Sequence, residues 1–366
     1  MSTNYKKLGE IVELIDERNK SLESSEVLGI SIDKEFMPSV ANTIGTDLSN
    51  YKLLRMNTFA CNPMHVGRDE RLPVSLYKKD VPAIVSPAYF MFRVKNENKV
   101  LPDFLMLIFK RDNFDRNCWF RTDGSVRGGI TWNDICEIEL PVPDLKEQKK
   151  IINTYNAITK RIQLKQKINE NLEKTAQCLF DNLFKSSCEK IKQGEVIDNW
   201  KYKNLNTVAS FTYGKMADDS IKVEKGYPIF SGYHNVGFSS EYMFELPQIV
   251  VLARGVSGTG EVKLSPEFCW LTNLSIAVLL NDRDFLFYYL FYLKNDNLRA
   301  LDSGSAQSQI TINNLGDHKI IIPPKKLAVG FNNKMIIINT QITKNEKEIA
   351  KLQELKQLVI SKISRN

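Results

Sequence analysis

A glycine-rich loop at residues 254–260 is the first segment that could do chemistry, because glycines let a backbone approach a phosphate closely. A nucleotide-binding loop needs Gly-x-x-x-x-Gly followed by Lys and Ser or Thr, which contact the phosphates and the magnesium ion. Here Gly260 is followed by Glu261 and Val262. The loop also lies between two strand candidates, 248–253 and 261–264, so we interpret it as a turn whose glycines need positive φ.

Two further segments have residue types found in catalytic sites. Residues 62–65 read Asn-Pro-Met-His, and they lack the second proline and the aromatic residue of an amino-methyltransferase loop. Asp144 and Glu147 could bind a nuclease metal, but their position is the start of a helix and not two adjacent strands. We predict that they cap this helix by taking up free backbone amides. No segment predicts an active site, so we expect no catalytic residue.

The cysteines and histidines predict neither a metal site nor a disulfide framework. The six cysteines have no Cys-x-x-Cys spacing, and His65, His234 and His318 stand alone. We expect reduced, mostly buried thiols and a cytoplasmic location, because the N-terminus has no apolar signal core. The longest apolar run, 285–293, is far shorter than the roughly 20 residues of a membrane-spanning helix.

The sequence repeats itself. Segment 124–131 recurs at 304–311 with the same Gly-Ser and Ile-Thr pairs, and each copy precedes a proline-containing stretch and a long helical pattern. The segment 5–8, Tyr-Lys-Lys-Leu, recurs at 202–205 as Tyr-Lys-Asn-Leu. The chain is therefore predicted to be two diverged copies of one unit, each a globular domain followed by a long helix.

The fold class that follows is α/β (α+β), with two globular domains in tandem and two helices that pair as an antiparallel coiled coil. Strand candidates in the first copy are 53–60, 81–85 and 89–94, and buried helices are predicted at 102–110 and 284–293. A chain of 366 residues with 43% hydrophobic residues can bury two cores. The predicted domains are 1–143 and 193–324, with the helices at 144–192 and 325–366.

The heptad spacing of apolar residues predicts how the two helices pair. The predicted seam consists of Ile151, Tyr155, Ile158, Ile162, Leu172 and Leu179 in the first helix, and of Phe331, Met335, Ile338, Ile342, Ile349 and Leu352 in the second. Polar residues interrupt it at Lys165, Asn169, Asn345 and Lys356. Such residues commonly fix register at a cost in stability, and local exposure is the alternative interpretation.

Positive charge is concentrated in the two helices. Residues 146–190 hold ten Lys or Arg against five Asp or Glu, and 325–366 hold nine against three, in a chain of net charge +7. This balance is compatible with nucleic-acid binding, and a solvated lysine-rich helix face is the alternative.

Three motifs carry a resemblance to a known family. They are 8–12, Leu-Gly-Glu-Ile-Val; the junction 138–148, Ile-Glu-Leu-Pro-Val-Pro-Asp-Leu-Lys-Glu-Gln; and 226–232, Gly-Tyr-Pro-Ile-Phe-Ser-Gly. With a long helix after each copy, this order resembles the specificity subunit of type I restriction-modification systems over essentially the whole chain. The second junction, 322–330, lacks the Leu-Lys-Glu-Gln signature, which leaves the start of the second helix less defined.

The resemblance implies a noncatalytic subunit with two target recognition domains, each binding one half of a split asymmetric site in double-stranded DNA. The helices, of about 40 residues and so about 60 Å long, would hold the domains apart and set the half-site spacing. The implied partners are two adenine-methylating modification subunits and, optionally, two ATP-dependent restriction subunits. S-adenosylmethionine and ATP are expected on those partners, and no cofactor on this chain.

Polar and basic residues in predicted turns are the candidates for DNA contact. Arg can form two hydrogen bonds with guanine and Gln with adenine, whereas Lys mostly binds phosphates. The candidates are Arg68, Arg71, Lys78, Lys79, Arg121, Ser125 and Arg127 in the first domain, and Lys215, Arg254, Lys263, Ser305, Gln307 and Gln309 in the second. The loops 121–129 and 303–309 are favoured, because both are small, polar and repeated before the helix junctions. For any single residue, a solvated surface charge is the alternative.

Other functions compete with this interpretation. The chain could be the specificity subunit of a related restriction system, or a coiled-coil scaffold that binds only protein. A fused methyltransferase or nuclease fragment is disfavoured by the missing cofactor and catalytic motifs.

Overall fold

The computed structural model describes residues 4–40, 45–64, 66–122, 128–255, 258–302 and 308–363. The chain forms two compact units, the first from residues 1–165 and 347–366 and the second from 166–346. The division into four consecutive domains stays a prediction, because each long helix contributes to both units. The helices are α1 (Leu8–Ile11), α2 (Val66–Asp69), α3 (Pro102–Phe109), α4 (Asp112–Phe120), α5 (Trp132–Cys136), α6 (Leu145–Phe180), α7 (Ser186–Lys192), α8 (Leu286–Lys294), α9 (Ile312–Asp317) and α10 (Lys325–Lys362).

The first unit contains two four-stranded sheets and a two-stranded one. Its strands are β1 (Asn4–Lys7), β2 (Val12–Ile15), β3 (Val27–Ile30), β4 (Phe36–Pro38), β5 (Lys52–Leu54), β6 (Phe59–Cys61), β7 (Val74–Leu76), β8 (Ala83–Val85), β9 (Phe90–Val94) and β10 (Glu139–Val142). The sheet β2-β9-β6-β7 is antiparallel, the sheet β4-β3-β8-β5 has a parallel β3-β8 pair, and β1 pairs with β10. The stacked rings of Phe59 and Phe92, 5.0 Å apart, lie in the core against α3.

The second unit repeats this arrangement. Its strands are β11 (Lys201–Asn204), β12 (Ala209–Tyr213), β13 (Lys222–Val223), β14 (Tyr227–Phe230), β15 (Asn235–Ser239), β16 (Ile249–Leu252), β17 (Val262–Leu264), β18 (Trp270–Leu271), β19 (Ser275–Leu280) and β20 (Lys319–Ile322). The order β12-β19-β16-β17 matches β2-β9-β6-β7 strand for strand, and β11-β20 matches β1-β10. The parallel β14-β18 pair corresponds to β3-β8, whereas the fourth strand of that sheet differs. The predicted duplication is therefore confirmed.

The predicted strand 53–60 is wrong, because the structure divides it between two sheets. Residues up to Leu54 pair with β8, and residues from Phe59 pair with β9. A turn separates them, in which the Thr58 amide donates to the Arg55 carbonyl at 3.0 Å and Asn57 has φ +61°. The predicted strand 81–85 shortens to β8, and the predicted helices 102–110 and 284–293 are confirmed as the buried α3 and α8, with ends shifted by one or two residues.

The long helices pair antiparallel within each unit. In the first, Glu348 of α10 bonds Arg161 of α6, while Lys356 lies 5.2 Å from the Tyr155 ring. In the second, Asn345 bonds Asn169 at 2.7 Å. The predicted seam residues are all buried or half-buried. After Phe180 the first helix continues through a π-helical turn, Asp181–Lys185, into α7.

Two different side chains secure the starts of the long helices. The predicted cap is confirmed for Asp144, whose Oδ1 accepts from the Glu147 amide at 2.8 Å, whereas the Glu147 carboxylate pairs with Lys150 at 3.4 Å. Gln148, fully buried, accepts from the Leu101 amide at the start of α3 at 2.9 Å. In the second unit Asn332 takes this role one turn later, accepting from the Phe287 amide of α8 at 3.2 Å. This replacement explains how α10 packs without the Leu-Lys-Glu-Gln signature.

Candidate nucleic-acid interface

The glycine-rich loop of the second unit is the turn that the sequence predicts. It joins β16 to β17, and Gly255 and Gly260 have φ of +140° and +91°, in the region that favours glycine. A Cβ on Gly258 would lie 2.0 Å from the Tyr233 hydroxyl, so this position has no room for a side chain. The loop therefore packs against Tyr233, in the β14–β15 turn.

Arg254 and Gln309 meet beside this loop. They form an isolated antiparallel bridge, and the Ile310 amide donates to the Ala253 carbonyl at 2.9 Å. The exposed Arg254 guanidinium lies 5.8 Å from the centre of the Tyr213 ring, where the ring face attracts a cation. The Gln309 amide donates to Asp302 Oδ1 at 2.7 Å, which ties the last residue of the predicted loop 303–309 to the residue before that loop.

Lys263 and Lys215 flank the same region. Lys263 Nζ lies 5.5 Å from the Tyr233 ring and donates to the Tyr233 carbonyl at 3.3 Å. Lys215 is exposed two residues beyond Tyr213, and its carbonyl accepts from the Trp270 indole at 2.8 Å. We call Lys215, Arg254, Lys263 and Gln309 the basic surface of the second unit. Tyr213 contacts Arg254 and Tyr233 contacts Lys263, and the sequence analysis missed both tyrosines although each adjoins a glycine.

In the first unit the structure brings Arg68 to the flank of the predicted loop 121–129. The Gly67 amide of α2 donates to the Gly128 carbonyl at 2.9 Å, and the Ile130 amide to the Pro63 carbonyl at 3.1 Å. The second of these bonds matches the one from Ile310 to Ala253 in the other unit. Arg68 itself bonds the neighbouring Asp69 at 2.6 Å.

The other first-unit candidates are divided between two places. Arg121 follows α4 and donates to the Asn117 carbonyl at 3.2 Å, and Arg71 is exposed before β7. Lys78 and Lys79 lie beyond the other end of β7, where they pair with Asp103 at 2.8 Å and Glu26 at 3.3 Å. The structure thus does not bring Lys78 and Lys79 together with Arg68. The remaining candidates, Ser125, Arg127, Ser305 and Gln307, lie outside the described residues.

A buried ion pair supports the α2 segment. Lys34 Nζ lies 2.6 Å from Asp115 Oδ1, which also accepts from the Leu72 amide at 3.1 Å. Burial lowers the pKa of Lys34, and the Asp115 charge opposes this shift. Through Asp115 of α4 the pair holds the Leu72 amide, and so fixes the chain after α2, including Arg71, relative to the predicted loop 121–129 that follows α4.

A polar cavity of about 590 Å³ lies elsewhere in the second unit. Asp296 on its wall lies 3.0 Å from His318 Nε2 and 3.4 Å from Lys192 Nζ. Burial raises the pKa of Asp296, but the hydrogen bond with His318 and the Lys192 charge outweigh burial and hold that pKa below its usual range. Over the described ranges, histidines, cysteines and carboxylates form no group of three or more that could hold a metal. Nor does any helix in that part of the chain have the length and apolarity to cross a bilayer.

Comparisons with known proteins agree with one another. A family model described as the type I restriction modification DNA specificity domain matches residues 3–174 and 197–358. The type I restriction enzyme MjaIX specificity subunit of Methanocaldococcus jannaschii is 23% identical over 296 residues, which cover 72% of this chain and 68% of that protein. The putative MjaX specificity subunit of the same organism is 21% identical over 342 residues, covering 86% and 79%.

Two solved structures share the fold. The S subunit of a type I restriction-modification system from M. genitalium has a TM-score of 0.67 at 16% identity, with 99% of this chain and 96% of that one covered. A chain from a study of complex assembly and conformational transition of the type I R-M system has a TM-score of 0.51 at 18% identity, with 98% and 97% covered.

Proposed function

Because this chain belongs to the family of type I restriction modification DNA specificity domains, which match it twice in tandem, we propose that it recognises a bipartite asymmetric DNA site. Each unit binds one half-site, and the paired helices set the spacing between them. The chain performs no chemistry, and it directs adenine methylation or cleavage by two modification subunits and, where present, two restriction subunits. Those partners bind S-adenosylmethionine and ATP, and the complex acts in the cytoplasm.

The basic surface of the second unit is the structural observation that supports this proposal. Arg254 is exposed, and its guanidinium lies 5.8 Å from the centre of the Tyr213 ring, whose face attracts a cation. Gln309 stands beside it, and Lys215 and Lys263 add positive charge. This combination suits DNA, because arginine and glutamine can bond base edges while lysines bind the backbone phosphates.

A genome-wide map of N6-methyladenine tests the proposal. Cells with the cognate modification subunit are compared with and without this chain. We expect methylation at one split, asymmetric motif to require the chain. An unchanged map would contradict the proposal and favour a scaffold that binds only protein.

Variants of Arg254 test whether this arginine contacts a base. Arg254→Ala should weaken motif-specific DNA binding of the assembled complex by about 10- to 100-fold, since a bidentate base contact contributes about 1–3 kcal/mol. Arg254→Lys should restore only part of the affinity, because lysine lacks the planar guanidinium fork that bonds a base edge in a fixed geometry and stacks on an aromatic ring. Arg93→Ala, which removes an exposed arginine paired with Glu13, is the matched control. Equal effects at Arg254 and Arg93 would refute the assignment.

A further inference from the structure

An exposed aromatic cluster lies on the second unit, at the end of β14 away from Tyr233. Tyr227, Tyr242 and Phe268 pack with ring centroids 4.9 to 6.2 Å apart, and each keeps 37 to 43% of its surface exposed. Tyr227 begins β14, whereas Tyr233 of the basic surface follows the other end of this strand. A strand of four residues is about 13 Å long. The aromatic cluster therefore lies about one strand length from Tyr233. Of the basic surface, Lys215 accepts through its carbonyl from Trp270, two residues beyond Phe268.

Carboxylates accompany the aromatic cluster. Glu241 and Glu267 adjoin Tyr242 and Phe268 in the chain, and the Glu245 carbonyl accepts from the Phe268 amide at 2.9 Å. All three glutamates are exposed. Segments 226–246 and 264–274 contain these glutamates and no lysine or arginine, although the whole chain has a net charge of +7. Aromatic faces and carboxylates both attract cations, whereas carboxylates repel phosphates.

We propose that the aromatic cluster and its glutamates form a docking surface for an arginine- or lysine-bearing segment of a protein subunit that assembles with this chain. The inference rests on the proposed function, which supplies the assembly. Charge complementarity selects a basic polypeptide and disfavours DNA. In the described part of the first unit, Val27 lies opposite Ile84 as Ile229 lies opposite Trp270, so Ser25 takes the place of Tyr227 and brings no aromatic ring there. The contact therefore distinguishes the two otherwise repeated units.

Assembly measurements on the full chain test this inference. The affinity for the cognate modification subunit, and for the restriction subunit added to that complex, is measured by titration at low and high salt. Replacing Glu241, Glu245 and Glu267 by glutamine should weaken one of these steps about tenfold and reduce its salt dependence. Tyr242→Ser should act in the same direction, while Tyr242→Phe should keep wild-type affinity because the ring remains. The matched control is the triple glutamine replacement of the exposed Glu10, Glu97 and Glu195.

The outcomes separate this inference from the proposed function. Motif-specific methylation by the wild-type complex supports the proposed function whatever the cluster variants do. Unchanged affinity of the glutamine variant for both subunits would overturn the docking surface. So would a loss of DNA binding by that variant with assembly intact, because the surface would then bind nucleic acid. The glutamine variant retains every aromatic ring, so its result does not depend on whether Tyr242→Ser folds.

Discussion

The hydrogen bond between Asn169 and Asn345 in the helix seam allows stability and register to be tested separately. Asn345 Nδ2 donates to Asn169 Oδ1 at 2.7 Å, and Asn345 is 1% exposed whereas Asn169 is half-buried. Asn169→Leu deprives a buried amide of this acceptor, so we expect the free energy of unfolding to fall by about 3 kcal/mol. Asn345→Leu leaves an amide that water can reach, and the expected loss is about 1 kcal/mol.

The double replacement of Asn169 and Asn345 by leucine should behave differently. It removes both amides from the seam and buries apolar side chains instead, so we expect stability at or above that of the wild type. Without the asparagine pair, the ion pairs of Glu348 with Arg161 and Lys165 hold the register less firmly. The helices can then slip by one heptad, about 10 Å, which corresponds to about three base pairs at 3.4 Å per base pair. A complex assembled with the double variant should therefore also methylate sites whose half-sites are about three base pairs closer or farther apart.

Two assays follow this prediction. Urea unfolding gives the free energies of the single and double variants, and the assembled complex is offered a series of sites that differ only in half-site spacing. Asn171→Leu, at an exposed position of α6 close to Asn169, is the control and should change neither quantity. A double variant less stable than both single variants would refute the energetic argument. Wild-type spacing selectivity in a stable double variant would refute the role in register.

Three further predictions concern burial and charge. The exposed Cys178 should react quickly with a thiol reagent, whereas the buried Cys61 should react only on unfolding, because burial raises the pKa of its thiol to about 12. Equal labelling rates of the two cysteines, measured by mass spectrometry, would contradict this. The depressed pKa of Asp296 means that this carboxylate contributes stability above about pH 4 that is lost as the pH falls through its folded pKa. Asp296→Asn should therefore lower the free energy of unfolding at pH 7 and reduce its fall as the pH is lowered. An unchanged fall at acid pH would contradict the stabilising role of the Asp296 carboxylate. Lys34→Met leaves the Asp115 carboxylate buried without its cation, and urea unfolding should show a loss of about 3–5 kcal/mol that Asp115→Asn in the same chain largely restores.

The sequence determined the features that depend on local periodicity. The duplication, the two long helices, their seam, the cap at Asp144 and the glycine turn after β16 all follow from spacings that the chain shows directly. Helical seams repeat every few residues, and a cap or turn involves only its neighbours, so one stretch of sequence suffices to predict each of them.

Tertiary structure alone decided which distant residues meet. The segment 53–60 has one continuous pattern, yet its two ends pair with different strands, because strand pairing depends on partners far along the chain. Gln148 and Asn332 secure corresponding helices from different turns, which no alignment of the two repeats within the sequence reveals. Likewise, Arg254 and Gln309 were separate candidates until packing joined them, because their bridge forms only when the chain before α9 returns to the end of β16.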